Sequence, residues 1–399
     1  MIRKGIELGP EQEMALLAAG TETRRHANGA RLESLADQVD WSLLANLLAR
    51  ARLLPTLGPR ILEIAGEKAS AGFEQDVAAS VEAVSRQDAL FMLICGRLME
   101  TLGAAGIRAA LLKGPALGEE LYGEPGRRTS SDIDLLVPVE RLEEAVRLVG
   151  DLGYAAPTDP LELNGRPLLH FAMLHEHGEM PAVELHWRIH WYEDSFARER
   201  LLPPTPQGLD WRPQPVDQLA SLLLYYARDG LGSLRQATDL GAWWDRFGDD
   251  LPPGGLETLV ETYPELGPAV AAAARVAERT IGLPAERVLR RNGRLGPRGR
   301  LAVRLADPRP YVTPQQFYAE IGLIDGLLTP RRGLRAFVRR QVAPSHEVIR
   351  EHVERAQGAH VTTRAGYAAR VLGRYAIAFG RLLRVPGASR LRFGPSPAS

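Results

Sequence analysis

Asp132 and Asp134 are the residues in this chain most able to do chemistry. They flank Ile133 inside an apolar run that ends at Val137. In a strand successive side chains alternate between faces, so both carboxylates leave by one face while Ile133 and Leu135 leave by the other. Two such carboxylates repel each other, and burying them is costly unless a cation sits between them. Paired oxygens suit a hard divalent ion, and Mg²⁺ is commonly shared between one or two carboxylates and substrate phosphates. Upstream, an apolar stretch (107–112) halts at Lys113-Gly114-Pro115. Lys113 is one of three lysines, with Lys4 and Lys68, in a chain that otherwise uses arginine for its cations. A compact ammonium is not interchangeable with a planar guanidinium. Downstream, Val183, Leu185, Trp187 and Ile189 alternate with Glu184, His186, Arg188 and His190, which places a third carboxylate on the polar face of another strand.

The elements that must position these groups follow from periodicity. Residues 1–105 read as a helical region. Asp40 caps a helix with Leu43, Leu44, Leu47 and Leu48, and Pro55 and Pro59 interrupt the pattern before 61–65. A long helix then covers about 69–102, with Val77, Val81, Val84, Leu90, Leu93 and Leu98 at its apolar positions, and Gly103 and Gly106 end it. Residues 106–201 form the core. A strand at 107–112 leads into a short helix over 116–122, a turn at 123–126, the aspartate strand 131–137 and an amphipathic helix over 141–152. Two strands, 168–174 and 182–190, follow around a turn at Gly178 and Pro181. A proline-rich connector (202–215) precedes a second helical region (216–384), which opens with helices at 216–228 and 234–247. Residues 385–399 read as a loose tail, and there is no internal repeat.

The array of Gly114, Asp132-Ile133-Asp134 and Val183-Glu184-Leu185 resembles the polymerase-β-type nucleotidyltransferase superfamily. That superfamily joins a strand–Gly–helix to an Asp-x-Asp strand and a later acidic strand. The wider pattern, running through Lys113-Gly114-x-Ala116-Leu117, Tyr122, Arg128-x3-Asp132 and Val183-Glu184-Leu185-His186-Trp187, is similar to a bacterial group of nucleotidyltransferase family proteins found in natural-product loci. The spacing Arg128-x-Ser130-x-Asp132-x-Asp134 also resembles toxin-type nucleotidyltransferases of defence systems. The resemblance implies an α+β fold, with a small mixed β-sheet core flanked by N- and C-terminal helical regions. It implies two Mg²⁺ (or Mn²⁺) ions on Asp132 and Asp134, with Glu184 completing the one that activates the acceptor. The reaction implied moves an NMP group from an NTP to a hydroxyl, phosphate or amine and releases pyrophosphate. Lys113 and Arg128 are candidates to stabilise charge on the phosphoryl oxygens. The Gly114 N–H and the Ser130 hydroxyl are candidates to bond phosphate. Lys-Gly-Pro replaces the superfamily's usual Gly-Ser or Gly-Gly, and Pro115 supplies no N–H.

Other features leave alternatives open. Arg235 and Asp239 stand at i, i+4 on one helix face. They form either a surface ion pair or part of a helix that closes over the nucleotide. Five of the nine histidines (His170, His175, His177, His186, His190) crowd into 21 residues. His186 lining the acceptor side is weighed here against a zinc site, and no helical His-x3-His or Cys–His framework accompanies it. The zero net charge hides a split, since residues 287–399 hold 22 arginines against six acids. Neutralising the acidic half of the chain is the simplest role for this excess. Aromatics are not interleaved as single-strand binding would require, and no stable DNA binding is expected. The helix over 365–383 is amphipathic, suited to its own domain or to a membrane surface. Cys95 falls in a helical pattern and reads as core; one cysteine, no signal peptide and no apolar run of membrane-spanning length indicate a cytoplasmic protein. Two other readings stand beside the biosynthetic enzyme, a defence toxin modifying RNA or protein and a catalytically silent nucleotide- or peptide-binding protein. Three retained carboxylates argue against the silent protein.

Overall fold

The structure, a computed structural model, describes residues 8–155, 169–190, 195–289, 295–306, 314–330 and 364–384, two short strands at 162–163 and 166–167, and positions 193, 333, 335 and 338. Six helices come first: α1 (Pro10–Ala18), α2 (Glu22–Ala27), α3 (Gly29–Ala36), α4 (Trp41–Arg50), α5 (Leu54–Ala65) and α6 (Ala71–Ala104). Asp40 caps α4, its Oδ1 accepting the N–H groups of Ser42 at 2.9 Å and Leu43 at 3.0 Å. The prolines do not interrupt α5. Pro55 lies in its first turn, where a missing N–H is harmless. Pro59 forfeits one helical bond, at about 3 kcal/mol, but Leu57, Gly58 and Ile61 around it are buried. Gly58 lets α5 lie directly on α6, since a Cβ there would fall 2.5 Å from Val77 Cγ2.

The buried stripe of α6 keeps the expected Val77, Val84 and Leu98 but not Leu90 and Leu93. Phe91, Cys95, Leu98 and Leu102 face inward, while Leu90 and Leu93 are exposed, as is Leu43 on α4. Both sets recur at helical spacing, and only the position of the sheet decides between them.

Seven strands follow: β1 (Ala110–Leu111), β2 (Asp132–Leu136), β3 (Tyr154–Ala155), β4 (Glu162–Leu163), β5 (Arg166–Pro167), β6 (His170–His175) and β7 (Ala182–His186). α7 (Pro115–Tyr122) lies between β1 and β2, and α8 (Leu142–Gly150) follows β2. β4 and β5 pair only with each other; the other five form a mixed sheet in the order β1-β2-β7-β6-β3. β2 and β7 are parallel, and the remaining pairs are antiparallel. β7 stops at His186 instead of running to His190. Beyond the His170–His186 pair, the N–H groups of Trp187 and Arg188 both turn to the Leu169 carbonyl. Simple alternation therefore does not carry His190 onto the face of Glu184.

One face of the sheet is apolar: Ile133, Leu135, Phe171, Met173, Val183 and Leu185 pack with residues of α6 and α8. The other face carries the carboxylates and is roofed by α9 (Pro215–Arg228) and α10 (Leu234–Phe247). Residues 202–214 contain neither helix nor strand. The chain continues through α11 (Gly255–Thr262), α12 (Gly267–Ile281), α13 (Ala285–Val288), α14 (Pro297–Leu305), α15 (Pro314–Leu328) and α16 (Arg364–Arg384). Helices from both ends of the chain share one apolar core, which includes Met14, Leu57, Leu223 and Ala272. The fold is α+β, with helices on both sides of the sheet in the sequence. The basic cluster at 331–340 lies almost entirely, and the tail at 385–399 entirely, outside the described residues. Among the described residues no helix is long and apolar enough to cross a membrane.

Candidate active site

Strand register builds the site. β2 and β7 run parallel with Asp134 opposite Glu184, so two carboxylates from different strands stand side by side; Asp132, opposite Ala182, lies two residues along the same face. Asp134 and Glu184 are buried, and Asp132 is partly exposed. β6 adds His170, which pairs with His186 across the antiparallel ladder.

One lysine and two histidines meet these acids directly. Lys113 Nζ donates to Asp134 Oδ1 at 2.9 Å, and His186 Nε2 lies 2.9 Å from the same oxygen. His186 Nε2 is also 3.3 Å from Glu184 Oε2, and His170 Nε2 is 3.5 Å from it. The two imidazoles stack with centroids 4.4 Å apart. Burial raises the pKa of Asp134, but the Lys113 ammonium and the His186 contact outweigh it and hold this carboxyl well below its usual range. Burial opposes ionisation of Glu184 too, yet its hydrogen bond with His186 leads the effects that bring it down to about 2. Asp132 moves the other way, raised by burial and by the charge on Asp134. Burial, then the neighbouring His186, pushes His170 down to about 3, so its imidazole is neutral at pH 7.

The backbone explains how Lys113 arrives there. Gly114 has φ 85 and ψ −157, a conformation essentially restricted to glycine, and no heavy atom lies within 4 Å of a Cβ built on it. Glycine is needed here for its torsion angles, with no crowding involved. This turn aims Lys113 across the sheet, where its ammonium also sits over the Tyr225 ring of α9 at 4.4 Å. The guanidinium of Arg228 lies 5.0 Å from the same ring.

A second network holds the loop between α7 and β2. Arg128 Nε donates to Asp239 Oδ2 at 3.1 Å, and the Tyr122 hydroxyl donates to Asp239 Oδ1 at 2.8 Å. Arg128 Nη1 is 3.4 Å from Ser130 Oγ, Arg235 Nη1 donates to the Thr129 carbonyl at 3.2 Å, and Gln87 donates to the Ser130 carbonyl at 3.0 Å. Arg235 and Asp239 are therefore not paired with each other on a surface. Each reaches from α10 into the loop. Burial and the nearby Arg128 charge lower the pKa of Arg235.

Of the residues singled out from sequence, the structure gathers Asp132, Asp134, Glu184, Lys113 and His186 into one cluster, with Gly114 at its edge. Arg128, Ser130, Arg235 and Asp239 form the adjoining network. His186 is fully buried, with its Nε2 in contact with both Asp134 and Glu184. Sequence reasoning missed Tyr225, Arg228 and the direct part of His170. Their only signal is a polar or aromatic residue on a mostly apolar element. Three ligand atoms, from His170, Glu184 and His186, lie within 4.8 Å of one another.

A family profile described as uncharacterised nucleotidyltransferase matches residues 37–282. The chain belongs to this family. The matched span runs from the end of α3 to α12 and contains the whole sheet and its roof. No curated protein and no solved structure matches the chain. The general chemistry of this nucleotidyltransferase, transfer of a nucleotidyl group, follows from its family.

Proposed function

We propose that the face formed by Asp132, Asp134 and Glu184 transfers an NMP group from an NTP to an acceptor hydroxyl, phosphate or amine. The observation that carries this reading is the parallel register setting Asp134 against Glu184, with Asp132 two residues away. In the step proposed, the acceptor atom bonds to the α-phosphorus, the bond from that phosphorus to the bridging oxygen of pyrophosphate breaks, and the acceptor's proton leaves to solvent. The donor set fits Mg²⁺ or Mn²⁺, since carboxylate oxygens from two adjacent strands converge at a place where the chain itself supplies a cation. Asp132 and Asp134 would hold such ions, with Glu184 on the acceptor side. Bound there, they would neutralise charge on the attacking and leaving oxygens.

The chain's own residues would do the rest. Lys113 balances Asp134, and it is near enough to turn to a phosphoryl oxygen when a divalent ion takes over that balance. Arg235 sits in surroundings that disfavour its own charge, and a polyphosphate would relieve them. Arg128 and Asp239 bond to each other in the interior, which suits holding the loop below Ser130 better than touching nucleotide.

A thermal-shift panel of four NTPs, with and without Mg²⁺ or Mn²⁺, tests this reading. Stabilisation should need both nucleotide and metal, and Asp132→Asn/Asp134→Asn should abolish it. Stabilisation by nucleotide alone, indifferent to that double substitution, would place binding elsewhere. Mass spectrometry of a cell extract incubated with labelled NTP would then show which molecule gains the NMP mass.

A further inference from the structure

We propose that the position beside Glu184 is a transition-metal site: His170 Nε2, His186 Nε2 and Glu184 Oε2, with Asp134 Oδ1 as fourth donor, take a borderline ion such as Zn²⁺ in preference to Mg²⁺, and do so before nucleotide binds. This deepens the reading of the acidic face as metal-holding and rests on it.

Distances carry the first part of the argument. The separations along the set are 2.9 Å (His186 to Asp134), 3.3 Å (His186 to Glu184) and 3.5 Å (His170 to Glu184). Ligand bonds of ~2.0–2.1 Å in a tetrahedron place neighbouring donors roughly 3.3–3.4 Å apart. These three contacts bracket that edge length, and the His170, Glu184 and His186 atoms lie within 4.8 Å of one another. A proton on His186 shared with the two carboxylates explains its own contacts. It does not explain His170, whose Nε2 lies too far from Glu184 for a strong hydrogen bond and at the right spacing for a second ligand of one ion.

The donor types carry the second part. Mg²⁺ takes oxygen ligands and keeps its water, whereas imidazole suits Zn²⁺, Cu²⁺ and Ni²⁺. Charge also balances: one divalent ion plus Lys113 offsets Asp132, Asp134 and Glu184. Access is from one side, since the His170 side chain is 23% exposed while those of Asp134, Glu184 and His186 are almost entirely covered.

The test uses the full chain, stripped with a chelator and titrated with Co²⁺ in the absence of nucleotide. One equivalent should bind and give the visible absorption of a four- or five-coordinate ion with nitrogen ligands. Cu²⁺ bound to the unmutated chain should show hyperfine coupling to two imidazole nitrogens. His170→Gln should weaken Co²⁺ binding by about 100-fold or more, because losing even an outer-shell partner of a metal ligand costs about 10–100-fold. His177→Gln, outside the set, should change nothing. No binding, a hydrated octahedral spectrum indifferent to His170→Gln, or no nitrogen coupling in the unmutated chain would each overturn the proposal. A chain that binds Mg²⁺ and NTP but shows no nitrogen-ligated ion refutes this inference alone. One that shows such an ion and binds no NTP refutes the nucleotidyl-transfer reading of the site and leaves the transition-metal site standing.

Discussion

Lys113→Met should change metal binding and transfer in opposite directions. Lys113 Nζ lies 2.9 Å from Asp134 Oδ1 and occupies the charge-compensating place that a divalent ion would take. Two unit charges at this distance attract by about 6 kcal/mol at an effective dielectric of 20. Desolvation of both groups, and solvent reaching a lysine that is 18% exposed, remove most of that. A charged hydrogen bond retains a net ~1.5–3 kcal/mol. A metal ion must displace this contact, so deleting it should tighten Mn²⁺ binding about 10–100-fold without nucleotide. Transfer should nonetheless fall, by about 10²–10³-fold, because a cation aimed at developing oxyanion charge has gone. Electron paramagnetic resonance counts free Mn²⁺ against bound Mn²⁺, and steady-state transfer of labelled NMP gives the rate. If Mn²⁺ affinity is unchanged or weaker in Lys113→Met, the ammonium does not hold the ion's place and the reasoning fails.

Three further outcomes follow from the same geometry. Gly114→Ala forces a side chain into a glycine-only conformation at about 1–3 kcal/mol; urea denaturation should register that loss, with transfer reduced because Lys113 is displaced. Arg128 and Asp239 have side chains 5% and 4% exposed, so Asp239→Asn leaves a buried guanidinium uncompensated and should cost about 3–5 kcal/mol. Arg128→Met/Asp239→Leu should recover most of that in the same titration, and a double variant as unstable as the sum of the single ones would refute the pairing. His190 is buried, and burial, followed by the Arg228 charge, pushes it down to about 3. Below its ordinary value near 6.5 the unfolded chain binds a proton that the folded chain refuses, so stability falls with acid from about pH 6.5 towards 3. His190→Gln should flatten that slope by about 1–3 kcal/mol between pH 6.5 and 4.5, read from urea midpoints at each pH.

Much of the acidic face was legible in the sequence because strand alternation is a local rule. It put Asp132 with Asp134 and Glu184 with His186 with no knowledge of which strands meet. What it could not supply was the register, and register turns three separate acids into one group: a one-residue slip of β7 would set Val183 against Asp134 and send Glu184 to the apolar face. The same limit explains Leu90 and Leu93 of α6, which have the spacing of core residues but are exposed. It explains Pro59 as well, whose local cost is outweighed by contacts with a helix further along the chain. Arg128 illustrates the point from the opposite direction. Glu124 and Asp132 each stand four residues from it in sequence, yet its partner is Asp239, 111 residues away.

The histidines show why a chemical list of residue types is a poor guide to a site until the sheet is assembled. All five crowd together in the sequence, but β6 and β7 sort them by parity and by where each strand ends. His170 and His186 meet because they are opposite partners in an antiparallel pair, and Glu184 joins them because it is two residues from His186 on the same strand. His175 is turned to the Tyr154 ring, and His190 lies beyond the end of β7. The same parity that gathers two imidazoles around Glu184 leaves Asp132, two residues along β2, opposite only Ala182. The two imidazoles thus stand at the Glu184 end of the face, and Asp132 lies at the other. On the transition-metal proposal a nitrogen-preferring ion therefore belongs at the Glu184 end, because strand register puts both imidazoles there.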